Sequence, residues 1–250
     1  MEEKRDKSRE EISSFPLYSE RSGLSTLVSP ITDWTNNSPV MRQAITIHPM
    51  PKGKGKLTPS RKQYLDMKAQ YAEEILFFRM GDFYECFDED AETIARELDL
   101  VLTARSQKGD KIPMAGVPHH AAENYIARLI AKGYRVALCE QTSAVPINGL
   151  MPRDVVRVFT AGTVIEEGML DAGKNNYLAA VVFDEERAGL AYADITTGEF
   201  ATTVLPNKRA LVEEIARLEP SELIVGDNEF GLNDGSISVK AISRIPDWRF

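Results

Sequence analysis

Residues 75–87 read Ile-Leu-Phe-Phe-Arg-Met-Gly-Asp-Phe-Tyr-Glu-Cys-Phe, and the rest of the chain is best understood outward from them. The apolar run at 75–80 has the character of a strand, and Gly81-Asp82 is turn chemistry that ends it. If the chain continues extended from Phe83, period-2 geometry puts Phe83 and Glu85 on one side and Tyr84 on the other. A ring and a carboxylate so placed can wedge into a stack and hydrogen-bond an edge beside it. Taken on residue type alone, Phe83 reads as an ordinary core aromatic.

The surrounding pattern is α/β (α+β). Thr58-Pro59 is a helix entry, with Thr as cap and Pro in the first turn. Tyr64, Met67 and Tyr71 then share one face of a helix expected to reach about Glu74. Asp88-Glu89-Asp90 opens a second helix, where carboxylates favour the N-terminal dipole; Ala91, Ile94, Ala95 and Leu98 form its apolar face. A short strand is expected at 100–103, and a loop at 106–111 around Gly109-Asp110. A third helix at about 121–132 turns Tyr125, Ile126, Leu129 and Ile130 inward and stops at Gly133. Further strands are expected at 134–140 and 155–164. A second unit starts near Asn176: strands at 177–183, 189–195 and 200–205, a helix at 208–218, and a strand at 223–225. Three strands in meander followed by a helix and a strand is how a ribonuclease-H-like fold begins. With few residues left after 225, that fold reads as incomplete.

The chain has 250 residues, enough for one large domain or two ordinary ones. It is 43% apolar and 27% charged, the composition of a globular protein, and no apolar run approaches the roughly 18 residues of a membrane span. A net charge of −8 argues against wrapping nucleic acid by charge alone, though a local basic strip can act within an acidic protein. Cys86 and Cys139 lie in apolar strand-like runs and read as reduced core residues. The charged start, Met-Glu-Glu-Lys-Arg-Asp-Lys, fits neither a signal nor a transit peptide, so a cytoplasmic location is expected. Residues 1–57 lack apolar periodicity and end in Pro51-Lys52-Gly53-Lys54-Gly55-Lys56, which reads as a disordered extension and a soluble linker. Met41 or Met50 would serve equally as a start.

Several stretches carry a family resemblance in order and spacing. They are Thr58-Pro59, Gly81-Asp82-Phe83-Tyr84-Glu85, Leu102-Thr103, Pro113-Met114-Ala115-Gly116-Val117-Pro118-His119-His120, Glu123-Asn124-Tyr125 and Cys139-Glu140-Gln141. The likeness continues through Val155-Val156-Arg157-Val158-Phe159-Thr160 and Gly162-Thr163 to Ala193-Asp194-Ile195-Thr196-Thr197-Gly198-Glu199-Phe200. Together they resemble the N-terminal part of the MutS DNA mismatch repair family. One departure is Ala161, where the family pattern leads us to expect proline. The resemblance implies a mismatch-recognition domain at 58–170 and an incomplete connector domain at 176–250. It implies duplex DNA with mismatches or small loops as the ligand, with Phe83 inserted in the minor groove and Glu85 bonded to the base. A mispaired base is already poorly stacked, so a wedge meets less resistance there. It also implies a protein that homodimerises and recruits downstream repair proteins, with ATP and Mg²⁺ used by a C-terminal ATPase domain. These residues contain no Gly-x4-Gly-Lys-Ser/Thr loop, so no cofactor and no enzyme activity are expected of them.

Arg105 and Arg153 match positions where the family carries basic DNA-contacting residues; Arg79 and Arg157 are further backbone candidates, each with solvated surface arginine as the plain alternative. His119-His120 with Glu123 lacks the spacing of a metal site, and no metal is expected. Two rival readings remain: a ribonuclease-H-like structure-specific nuclease built on Asp184, Asp194 and Glu199, and a MutS relative acting on recombination intermediates. The Phe83/Glu85 pair argues against the latter.

Overall fold

A computed structural model describes residues 57–107, 110–184, 186–227 and 237–246. The extension and the lysine tract read from the sequence lie outside the described residues, apart from Leu57.

Helix α1 (Pro59–Gln70) starts as the sequence requires, with the Thr58 hydroxyl accepting the Arg61 N–H at 3.3 Å. It ends at Gln70, short of the expected Glu74, and a bend leads into β1 (Ile75–Met80). Strand β2 (Phe83–Phe87) returns antiparallel after the Gly81 turn, and α2 (Asp88–Leu98) follows directly. Asp90, in the first turn of α2, gathers this corner together. Its carboxylate accepts the Leu76 N–H at 3.0 Å, the Tyr64 hydroxyl at 3.2 Å and the Lys68 ammonium at 2.9 Å. Burial comes first in raising its pKa, against the pull of Lys68.

The expected strand at 100–103 is displaced. Val101 and Leu102 are exposed, and β3 (Thr103–Gln107) forms a hairpin with β4 (Asp110–Pro118), where the sequence predicts a loop at 106–111 and no strand. A 3₁₀ turn (His119–Ala121) leads into α3 (Ala122–Ala131), then β5 (Val136–Gln141) and β6 (Arg153–Phe159). Strand β6 ends before the expected residue 164. The first sheet has the order β3-β4-β2-β1-β5-β6, with only the β1–β5 pairing parallel. One face packs Tyr64 and Met67 of α1 against Leu76, Phe78, Phe87 and Cys139. The other packs α2 and α3 through Ile94, Leu98, Ile126 and Leu129 against Phe77, Tyr84 and Cys86. Both cysteines are buried free thiols.

The second sheet holds β7 (Tyr177–Phe183), β8 (Ala188–Asp194), β9 (Glu199–Leu205) and β10 (Glu222–Gly226), with α4 (Lys208–Leu218) before β10. A further strand not expected from the sequence, β11 (Ala241–Ile245), adds to β10, giving the order β11-β10-β7-β8-β9. An antiparallel meander extended by parallel strands on its first member is the start of a ribonuclease-H-like sheet. The two sheets meet through a buried polar chain. Glu222, only 3% exposed, accepts the Gly162 N–H at 2.9 Å and the Ser243 hydroxyl at 2.5 Å. Arg135 reaches Ser243 at 3.5 Å and is ion-paired to Glu74. Among the described residues no helix is long and apolar enough to cross a membrane.

Candidate nucleic-acid interface

Strand β2 is extended, so its side chains alternate as read from the sequence. Phe83 is 47% exposed, Tyr84 is 4% exposed, and Glu85 lies half-buried on the Phe83 side. The ladder carries this face across neighbouring strands, because residues directly opposite share a face. Phe83 pairs with Met80 and Pro118, Glu85 with Phe78 and Gly116, and Arg105 with Ile112. Arg153 pairs with Gln141 and lies over the Phe78 ring at 4.8 Å, so it joins the same face. Phe83, Glu85, Arg105 and Arg153 are therefore on one side of the sheet, the side that also carries α1.

Arg79 and Arg157 are on the other side. Arg79 pairs with Tyr84 in the ladder and contacts Glu140 at 3.5 Å, and Glu140 also accepts the Tyr84 hydroxyl in a short bond. Burial, then this bond to Glu140, pushes the Tyr84 phenol up to about 12. Arg157 is ion-paired to Glu166 and lies over Phe159 at 4.3 Å. Both guanidiniums are engaged by carboxylates within the chain.

The two arginines on the Phe83 face differ from one another. Arg153 donates to the Arg79 carbonyl at 2.7 Å, to Gln63 at 3.0 Å and to the Met151 carbonyl at 3.1 Å, and burial lowers its pKa. Arg105, with a half-exposed side chain, makes one ion pair, Nη1 to Glu85 Oε2 at 3.1 Å. Burial raises the Glu85 carboxyl above its ordinary value, while Arg105 and Arg153 draw it back in part. A cleft of about 290 Å³ opens beside Arg105, between the start of α1 and β3, with Thr58, Ser60 and Ser106 among its lining residues.

Gly116, one residue of the Pro113–His120 motif, has a physical role in the structure. A Cβ there would lie 2.9 Å from the Tyr84 carbonyl oxygen and 3.6 Å from Glu85 Cγ. Glycine lets β4 approach β2 closely and leaves room beside the Glu85 side chain. An isolated glycine inside a strand is the sequence signal for such an approach.

The rival carboxylates do not converge. Asp194 and Glu199 pair with each other at one end of the β7–β8–β9 meander, and Asp184 follows Phe183 at the opposite end of β7. At about 3.3 Å per residue the separation is roughly 20 Å. Asp194 is a buried turn cap. Burial would raise its pKa, but bonds from Thr196 (2.9 Å from N–H, 2.6 Å from the hydroxyl) and the Asn176 N–H (3.1 Å) hold it below the ordinary range. Asp184 is paired with Arg187 at 2.9 Å. His119 and His120 stack edge to face in the 3₁₀ turn, and among the described residues no three His, Cys, Asp or Glu side chains are grouped to hold a metal.

Comparison with known proteins agrees with the architecture. A family model for MutS domain I matches residues 58–168, and one for MutS domain II matches residues 176–247. The DNA mismatch repair protein MutS of Dehalococcoides mccartyi is 52% identical over 171 residues, covering 68% of this chain and 20% of that protein. The protein of the same name from Symbiobacterium thermophilum is 52% identical over 176 residues, again 68% and 20%. That from Halothermothrix orenii is 50% identical over 174 residues, 68% and 19%. The chain thus spans about a fifth of the length of the curated relatives it matches. With two successive MutS domain models matched in order and half of the aligned residues shared with MutS proteins, the chain belongs to the MutS family.

Proposed function

We propose that this chain reads mispaired and unpaired bases in duplex DNA for mismatch repair, with Phe83 as a minor-groove wedge and Glu85 as the hydrogen-bonding partner of the displaced base. In this reading residues 58–170 form the recognition domain and 176–250 belong to a connector domain; Arg105 supplies a phosphate contact and Arg153 a fixed positive field. The observation that carries it is the exposed Phe83 ring beside a half-buried carboxylate on one sheet face. A large aromatic 47% exposed beside an acid offers a π-face and a polar group together, which suits a ligand with π-faces and polar edges. An inserted side chain kinks DNA at an unstacking cost of a few kcal/mol per step, which is smallest where pairing is already faulty.

The test is titration of mismatched and fully paired duplexes of identical flanking sequence at one fixed salt concentration. Base–aromatic stacking is worth about 1–3 kcal/mol, so Phe83→Ala should weaken mismatch binding about tenfold or more. Glu85→Ala removes discrimination together with repulsion from phosphates, so binding to paired DNA should hold level or rise. If both variants melt like the parent and keep its preference for the mismatch, Phe83 and Glu85 are not the reader.

A further inference from the structure

We propose that Arg105 is the resting partner of Glu85 and that docking on DNA exchanges partners: the guanidinium passes to a backbone phosphate as the carboxyl turns to the base. This deepens the reading of Phe83 and Glu85 given above and rests on it.

The exchange follows from how unequally the two facing arginines are held. Arg153, reaching over from the start of β6, is fixed by two backbone carbonyls, Gln63 and the Phe78 ring, and leaving would break all of these contacts at once. Arg105, from β3, gives Glu85 a single N–H at 3.1 Å. A guanidinium has five such donors, and the others on Arg105 have no protein acceptor among the described residues. Half-exposed ion pairs of this kind contribute little, because water competes for both partners. The pair can therefore open readily. The cleft beside Arg105 gives its side chain room to swing without displacing packed groups. Gly116, opposite Glu85 on β4, leaves the Glu85 side chain free of a neighbour at that position, since a Cβ there would lie 3.6 Å from its Cγ.

The exchange also explains how a carboxylate can serve next to a polyanion. In the free protein Arg105 compensates Glu85. On paired DNA, giving Arg105 to a phosphate leaves Glu85 facing phosphates with no base edge to accept it. At a mispair a ring nitrogen takes the place of Arg105, so both groups stay satisfied. Arg105 would thus tie the phosphate contact to the reading of the base, and it acts as a specificity-determining residue as well as a contact.

The experiment uses the 250-residue chain, with Arg105→Ala, Glu85→Gln and the double variant. One readout is the Glu85 carboxyl titration followed by carbon-13 NMR without DNA. The other is affinity for a duplex carrying one unpaired base and for its fully paired counterpart, at one low salt concentration. The groups facing Glu85 are Arg105 and Arg153, so Arg105→Ala should raise the Glu85 midpoint, with only Arg153 left to hold it down. The same variant should lower the ratio of mismatched to paired affinity at least threefold. In the Glu85→Gln background it should weaken both duplexes by one common factor, leaving the ratio unchanged. If the parent prefers the mismatch but Arg105→Ala weakens both duplexes equally, Arg105 is a plain phosphate contact and the exchange is wrong. If the parent shows no preference while the Glu85 midpoint still moves, the ion pair stands and the mismatch reading fails, taking the exchange with it. An unmoved midpoint sinks the resting pair itself.

Discussion

The Glu85 carboxyl is raised by burial from its ordinary value of 4.5, and the arginines on either side only partly offset this. The folded state therefore binds that proton more tightly than the unfolded chain does. Between the ordinary value and the raised one the folded state holds more protons, so this group's contribution to stability falls as pH rises through that window. Above it, the burden of a half-buried charge is fully present. Glu85→Gln, of equal shape and no charge, should accordingly melt higher than the parent at neutral pH. The advantage should vanish below the ordinary glutamate value, where both side chains are neutral. Melting temperatures of the two proteins across that range check this, and a pH-independent difference would refute it. At this scale the sequence was legible where periodicity decides: Phe83 and Glu85 together, Tyr84 opposite. Which arginines share that face was marked by the resemblance alone, which sets Arg105 and Arg153 apart; periodicity does not show it, because the partners Arg79–Glu140 and Arg105–Glu85 are brought together only by strand order.

Elements were readable where an apolar period or a cap marks them, as at Thr58-Pro59 and in the inward faces of α2 and α3. The β3–β4 hairpin was missed for a physical reason. Val101 and Leu102 look like strand core yet stand exposed, while β4 carries Pro113 and Gly116 and so resembles a loop. Strand β11, Ala-Ile-Ser-Arg-Ile, is short and half polar, and it is defined by its parallel partner β10. Two glycines offer a test of how tightly elements are joined. Gly149 has φ +78° with nothing within 4 Å of a Cβ, whereas at Gly133, past the end of α3, φ is +85° and a Cβ would lie 2.4 Å from the Lys240 carbonyl oxygen. Gly149→Ala should cost about 1–2 kcal/mol from left-handed backbone strain alone. Gly133→Ala adds overpacking against backbone, roughly a further 1–3 kcal/mol. Urea unfolding of both variants decides; equal losses would mean that the approach of α3 to Lys240 is slack.

Across the whole molecule, Glu222 is where the two sheets share a buried charge. Its carboxylate serves the Gly162 N–H from the segment after β6 and the Ser243 hydroxyl on β11. Glu222→Ala leaves both donors buried without an acceptor, a loss of about 2 kcal/mol, which for a chain of this size lowers Tm by roughly 4–8 °C. Glu222→Gln keeps one acceptor oxygen and should lose less. The measurement is thermal melting by circular dichroism, with amide exchange followed in strands of both sheets. If Glu222→Ala melts with the parent, the joint is carried by apolar packing of Gly162 on Leu178 and not by the carboxylate.

Strand β1 sits between β2, which begins three residues after it ends, and β5, which begins at Val136. A growing chain can close the β1–β2 hairpin as soon as both strands have left the ribosome. An isolated hairpin is marginal in water, and β1 keeps an unpaired, strongly apolar edge that another chain can join. Only when residues 136–141 arrive does the parallel partner cover it. The tip that bears Phe83 is thus an early part of the described fold to take shape, yet it waits until just past the middle of the chain to be secured. Its vulnerability during synthesis follows from the placement of one parallel strand.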